Sequence, residues 1–204
     1  MSRRVAVALV AVVTVLLTGC ASGPAAPSTV DTPATVGTPG APGGGLNNTD
    51  VMFLQMILPH HRQGVELAGL GHTKGGRAEL VQLAAAIEAT QRDETELMAG
   101  ILADSGAPPT APAATAGQDP HAAHGGLPGT SEQQVAALRA ATGTEFERRF
   151  LNTMMAHQGD AIQLAKMELA SGADRRLVDL AGRIELSRTA QIEQMQKLLD
   201  GTPG

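Results

Sequence analysis

An all-α chain, folded as a four-helix bundle from one helical hairpin written twice, is predicted by three features of the sequence. These are an internal repeat at an offset of 97 residues, apolar positions that step by three and four, and the absence of alternating strand patterns. Phe53-Leu54, His60 and Leu67-Ala68 lie over Phe150-Leu151, His157 and Leu164-Ala165. Without a gap, Leu80-Val81, Leu83-Ala84, Ile87-Glu88, Met98 and Leu102 lie over Leu177-Val178, Leu180-Ala181, Ile184-Glu185, Met195 and Leu199. Across 53–68 and 80–102, 14 of 39 positions are identical. Two hairpins with one apolar face each bury those faces against one another, which gives the bundle.

The chain of 204 residues divides in order as follows. Arg3 and Arg4 precede an apolar run, Val5 to Leu17, that is too short to span a bilayer. Leu17-Thr18-Gly19-Cys20 then resembles the lipobox cut by bacterial lipoprotein signal peptidase. Residues 1–19 therefore read as a lipoprotein signal peptide and Cys20 as the lipidation site, so the protein is expected on the outer face of the bacterial cell membrane, held by lipid. Cys20 is the only cysteine, which excludes disulfides and thiolate metal sites. Residues 20–46, rich in Pro, Gly, Ala, Ser and Thr, lack the apolar surface to offset ordering entropy and read as a flexible tether.

The bundle is expected over 47–200: repeat one at 47–103, a Pro/Gly-rich linker at 104–130, and repeat two at 131–200. Phe53, Ile57, His60, Gly64 and Leu67 mark one face of the first helix, and Phe150, Met154, His157, Ala161 and Leu164 mark the same face of its copy. Gly71 to Gly76 breaks the first hairpin and Gly172 the second. Ser131 with Gln134 resembles a capping box, opening a short helix that pauses near Gly143. A net charge of −5 without Trp or Tyr offers neither the basic footprint nor the stacking platforms of nucleic-acid binding, so nucleic acid is not an expected partner.

Polar residues interrupt the apolar stripe. With the first turn centred near 75, residues whose numbers sum to about 151 share a level: His60 faces Gln91, Ile57 faces Glu94, and Phe53 faces Met98. In the second unit the sum is 345, and His157 faces Arg188, Met154 faces Gln191, and Phe150 faces Met195. A polar band thus crosses both halves at one depth. Buried polar groups need partners, and either a bound ion or internal hydrogen bonding meets that need. Imidazole suits Cu, Zn, Ni and Fe, and thioether suits Cu(I). The seven methionines after Met1 all fall in the helices, where they serve equally well as core filler. Pro59 sits inside the first helix, where it removes a backbone hydrogen bond. His121 and His124 lie in the linker as an accessory or incidental pair, and His72 is placed to cap its helix.

The run Phe53-Leu54-Gln55-Met56-Ile57-Leu58-Pro59-His60-His61-Arg62-Gln63-Gly64-Val65-Glu66-Leu67-Ala68 resembles the signature of the domain-of-unknown-function 305 family, and Phe150 to Ala165 resembles its second copy. Gln91, Glu94 and Met98 fit the Gln-x-x-Glu-x-x-x-Met pattern that closes each unit. The resemblance implies a ferritin-like four-helix bundle, often exported, with some members linked to copper binding and resistance through His and Met. Carried over by position, it implies metal ligation by His60, His61, His157, Met98, Met154 and Met195, with copper as the ion. The chain departs from the pattern at Ile57, where Met is expected, at Gln158, which replaces the second His of a pair, and at Gln191, which replaces Glu.

Two other functions compete. A di-iron oxidase uses inward glutamates with Glu-x-x-His motifs, yet Ile57 and Met154 stand three residues before His60 and His157. A structural or partner-binding envelope lipoprotein needs no ion at all. The expected reading is non-catalytic metal binding at the cell surface.

Overall fold

The computed structural model describes residues 45–110 and 129–201, all within one unit spanning 40–204. The expected signal peptide, Cys20, nearly all of the expected tether, and His121 and His124 lie outside the described residues. The described residues contain five helices: α1 (Asn48–Lys74), α2 (Ala78–Ser105), α3 (Glu132–Ala140), α4 (Gly143–Ser171) and α5 (Arg175–Asp200). The four long helices form the bundle, and α3 is the short helix that packs on α4. α1 runs through Pro59 unbroken.

Local sequence explains the helix ends. Asn47 and Asp50 form a reciprocal capping box at the start of α1, and Ser131 with Gln134 does the same for α3. Asp174 caps α5 by accepting from the N–H groups of Arg176 and Leu177. Gly75 and Gly172, equivalent across the repeat, end α1 and α4. Each hairpin therefore turns in three residues, 75–77 and 172–174.

α1 packs against α2 and α4, α4 packs against α5, and α2 meets α5 only lightly. The apolar core is divided. One cluster joins the start of α1 (Phe53, Leu54, Ile57) and the end of α2 (Met98, Leu102) to the later half of α4 and the start of α5 (Leu164, Leu177, Ile184). The other joins Leu67, Leu80 and Ile87 to Phe146, Phe150, Met154 and Met195. Every long helix thus passes from one cluster to the other, and α1 runs antiparallel to α4. The two repeats are related by a pseudo-twofold axis that crosses the bundle between the clusters.

The ends are tied across that axis. Asp50, on α1, accepts from the backbone N–H groups of Ala173 (2.9 Å) and Asp174 (3.2 Å) in the second hairpin's turn. Its counterpart Glu147, on α4, accepts from Gly76 and Arg77 (both 2.9 Å) in the first turn. Each repeat's leading helix therefore supplies donors in the other repeat's turn with a carboxylate, and Arg77 Nε adds an ion pair to Glu147 at 2.6 Å.

The second turn holds a further acid. Glu168 is fully buried beside Asp50, with neither carboxyl oxygen meeting a donor. Burial and the neighbouring Asp50 and Asp174 push its carboxyl up to about 8. Burial also opposes charge on Asp50, but the hydrogen bond from Glu168 and backbone N–H donors outweigh it and hold Asp50 below the usual carboxylate range. Glu168 therefore keeps its proton well above the usual carboxylate range, while Asp50 beside it stays charged.

Two outcomes follow from this packing. A Cβ at Gly71 would lie 2.3 Å from Phe150 Cζ and 2.9 Å from Ala84 Cβ, both rigidly held. Gly71→Ala is expected to lower stability by about 1–3 kcal/mol through overpacking, despite a helix-propensity gain of up to ~1 kcal/mol, read as a lower urea midpoint. For Glu168, the folded value lies above the ordinary 4.5. Its stabilisation is complete below that value and is lost as pH rises toward the folded one. The thermal midpoint should fall from about pH 5 to about pH 8 and level off above, and Glu168→Gln should flatten the decline.

Candidate functional site

Between the two apolar clusters every long helix contributes polar side chains: His60 and His61 from α1, Gln91 and Glu94 from α2, His157 and Gln158 from α4, and Arg188 from α5. All are buried. The equivalent histidines of the two repeats meet on the pseudo-twofold axis, where the His60 and His157 rings stack with centroids 3.8 Å apart and planes 14° from parallel. The His61 ring lies 6.0 Å from that of His60.

The room for this stack is made by small residues at one register. A Cβ at Gly64 would sit 1.9 Å from Gln91 Oε1 and 2.7 Å from His157 Nε2, so glycine is what lets both side chains enter the layer. On the outer side, His60 lines an open groove of about 510 Å³ with Pro59, Gln63 and Thr130. Gln63 holds Thr130 through two reciprocal bonds, donating to its carbonyl at 2.8 Å and accepting from its N–H at 2.7 Å.

Two arms flank the stack, related by the repeat. In one, Gln91 donates to Gln158 Oε1 (3.1 Å) and Gln158 donates to Gln191 Oε1 (2.5 Å). In the other, the equivalent positions hold Arg188, His61 and Glu94. His61 Nε2 lies 2.9 Å from Glu94 Oε2 and 3.3 Å from Arg188 Nη2, and Arg188 also donates directly to Glu94 Oε2. One arm is thus built of neutral amides and the other of a direct ion pair with an imidazole against it.

Protonation follows from burial. The His60 imidazole is pushed down to about 2 by desolvation and then by the charges that His157, His61 and Arg188 would place beside it, and a weak backbone contact from His157 opposes this only in part. His157 falls to about 3 for the same leading reason. Burial likewise lowers His61, although Glu94 opposes the shift. Burial would raise Glu94, but the His61 hydrogen bond and the Arg188 charge prevail and hold it below the usual carboxylate range. The three imidazoles are therefore neutral at physiological pH. Both ring nitrogens of His60 and His157, together with His61 Nδ1, lack a hydrogen-bond partner of good geometry. Five unpaired imidazole nitrogens in one buried layer are costly to the fold.

The structure brings His60, His61 and His157 together. Met98 lies in the first apolar cluster, and Met154 and Met195 lie in the second, all fully buried. The polar band forms, but its levels differ from the sequence expectation. Gln91 lies against Gly64 rather than His60, and Glu94 against His61 rather than Ile57. In the second hairpin Gln191 meets Gln158 rather than Met154. Facing residues sum to 155 and 349, four more than expected in each hairpin. The cause is directional: side chains lean toward the N-terminus of their own helix. In an antiparallel pair one set leans away from the turn and the other toward it, so contacts join residues with higher numbers on both helices. Instead of opposing Gln91, His60 is left to meet its own copy. His72, expected as a helix cap, also pairs with Glu88 at 3.2 Å. The missed partner was Gln158, whose place at the register of His61 was the available signal.

Removing one member of the buried ion pair strands the other. Arg188→Met should lower unfolding free energy by about 3–5 kcal/mol, whereas Arg188→Met combined with Glu94→Met should return it to near the wild-type value. Urea unfolding of the two variants measures the difference.

Comparison with known proteins agrees with this architecture. A crystal structure of a DUF305 fragment from Deinococcus radiodurans is 28% identical with a TM-score of 0.65, covering 76% of this chain and 98% of that one. A DUF305 protein from Streptomyces coelicolor is 24% identical with a TM-score of 0.66, covering 74% and 92%. CopM in its Cu(I)-bound form is 24% identical with a TM-score of 0.60, covering 78% and 100%, and so shares the fold. No curated protein matches the chain. The family described as "Domain of unknown function (DUF305)" matches residues 50–199, almost the whole of the helical part, and the chain belongs to that family.

Proposed function

We propose that this chain is an exported, lipid-anchored protein whose histidine layer binds a soft or borderline metal ion, copper first, for sequestration or resistance rather than catalysis. The observation that carries the reading is the group of five buried imidazole nitrogens without hydrogen-bond partners. Neutral imidazole is the state that ligates, and burial keeps all three rings in that state.

The donor chemistry fits copper. His60, His157 and His61 would hold the ion, with the thioethers of Met98, Met154 and Met195 available from the clusters on either side. Glu94 is balanced by Arg188, so the layer carries no net charge. A monovalent cation would then leave the least uncompensated charge in the interior, and imidazole with thioether suits Cu(I). Among the described residues no three His, Cys, Asp or Glu side chains converge into a ready-made ion site. Capture therefore asks the His60–His157 stack to turn, and no well-formed side-chain hydrogen bond holds either ring in place. CopM, which shares the fold, has been solved with Cu(I), Cu(II) and Ag bound, and this supports the choice of ion.

The N-terminal run and Cys20 support export and lipid attachment. Among the described residues no helix is long and apolar enough to cross a membrane. The anchored domain would begin at the capping box of Asn47, after a tether over 20–46.

An ion that binds only the folded state raises its stability, by about 2.7 kcal/mol at a hundredfold excess over Kd. That corresponds to roughly 5–10 °C for a chain of this size. Anaerobic addition of Cu(I) to the full chain should raise the thermal midpoint by that order, and His60→Ala with His157→Ala should abolish the rise. An unchanged midpoint in the wild-type chain would favour a purely structural layer, with the protein acting by binding a partner.

A further inference from the structure

We propose that Glu94 is a positioning residue that presets His61 to ligate through Nδ1, with Arg188 holding Glu94 in place for that role. The inference rests on the metal-binding reading and adds to it which atom binds and what aims it.

Three atoms meet in the ionic arm: His61 Nε2, Glu94 Oε2 and Arg188 Nη2. Guanidinium only donates, and an ionised carboxylate only accepts. A bare Nε2 would set its lone pair against a carboxylate oxygen at 2.9 Å with no proton between them. A protonated Nε2 instead donates to that oxygen, alongside Arg188. The neutral ring then has its only lone pair on Nδ1, which is buried and has no hydrogen-bond partner.

The amide arm supports the same polarity. Gln158, at the register of His61, donates to Gln191 at the register of Glu94, and accepts from Gln91 through a separate atom. An amide can do both because it carries a distinct donor and acceptor. His61 faces both neighbours with the single atom Nε2, so it keeps the donor role, and its accepting capacity moves to Nδ1, away from any donor. His60 and His157 have no such partner on either nitrogen. Of the three imidazoles, only His61 is fixed in one tautomer before an ion arrives. A carboxylate that takes the far N–H of a ligating histidine orients the ring and raises its basicity, and losing it typically weakens metal binding 10–100-fold.

Imidazole ¹⁵N NMR of the full metal-free chain should show His61 Nδ1 unprotonated and Nε2 protonated, and added Cu(I) should shift Nδ1. Glu94→Gln alone strands the Arg188 charge. The working variant is therefore Glu94→Gln with Arg188→Gln, which rewrites this arm in the amide form that the other arm already has. Its Cu(I) affinity should fall 10–100-fold with cooperative unfolding retained. His61→Gln, mimicking Gln158, should lose at least as much. If the wild-type chain binds no Cu(I), the metal reading and this inference fall together. If it binds with Nε2 as the shifted nitrogen, or the double variant binds with unchanged affinity, this inference alone is overturned.

Discussion

A polar layer laid across the middle of a helical core must largely satisfy itself internally, because its polar atoms are buried and each unpaired group is costly. Much of this bundle is organised by that constraint. The apolar core is divided in two because the layer intervenes. Arg188, among the largest fully buried side chains, is tolerable only because Glu94 lies against it. Gly64 interrupts the stripe on α1 because Gln91 and His157 need its space. Most of what the layer leaves unpaired is imidazole nitrogen, five atoms against Gln91 Oε1 and Arg188 Nε.

Duplication explains how the layer is arranged. A residue on the pseudo-twofold axis meets its own copy, so His60 stacks on His157 and a change in one would unbalance the pair. A residue off the axis meets a different residue, and its pair can be rewritten as a unit. The arms show this: Arg188, His61 and Glu94 on one side do the work of Gln91, Gln158 and Gln191 on the other. The ties at the ends have diverged in the same way. Glu147 is answered by the charge of Arg77, while Asp50 is answered by the proton on Glu168.

Burial also sets the chemical state of the site. Desolvation keeps His60 and His157 neutral far below physiological pH, which removes protons as competitors for a metal ion. The ionic arm brings a charge of each sign without adding net charge. The His60 and His157 rings are held by no side-chain hydrogen bond, whereas apolar clusters pack on either side of the layer. Movement needed to admit an ion can therefore be confined to the imidazoles and the groove beside His60.

The sequence by itself determined the duplicated hairpins, a first break within Gly71 to Gly76 that the structure narrows to Gly75, the second at Gly172, the capping box at Ser131 and the inward position of His60 and His157. All of these are local patterns: helical period, cap chemistry and self-similarity need no knowledge of the partner helix. The polar band was also legible, since Gln91, Glu94 and Arg188 interrupt otherwise apolar stripes. Only the tertiary structure decided who meets whom. The lean of side chains along antiparallel helices moved the facing pairs of the polar layer by four in summed number, giving Glu94 to His61 and Gln191 to Gln158. The antiparallel docking of α1 on α4 then brought His60 onto His157. Spacing along one helix cannot encode either result, because both depend on the direction in which a second helix runs past the first.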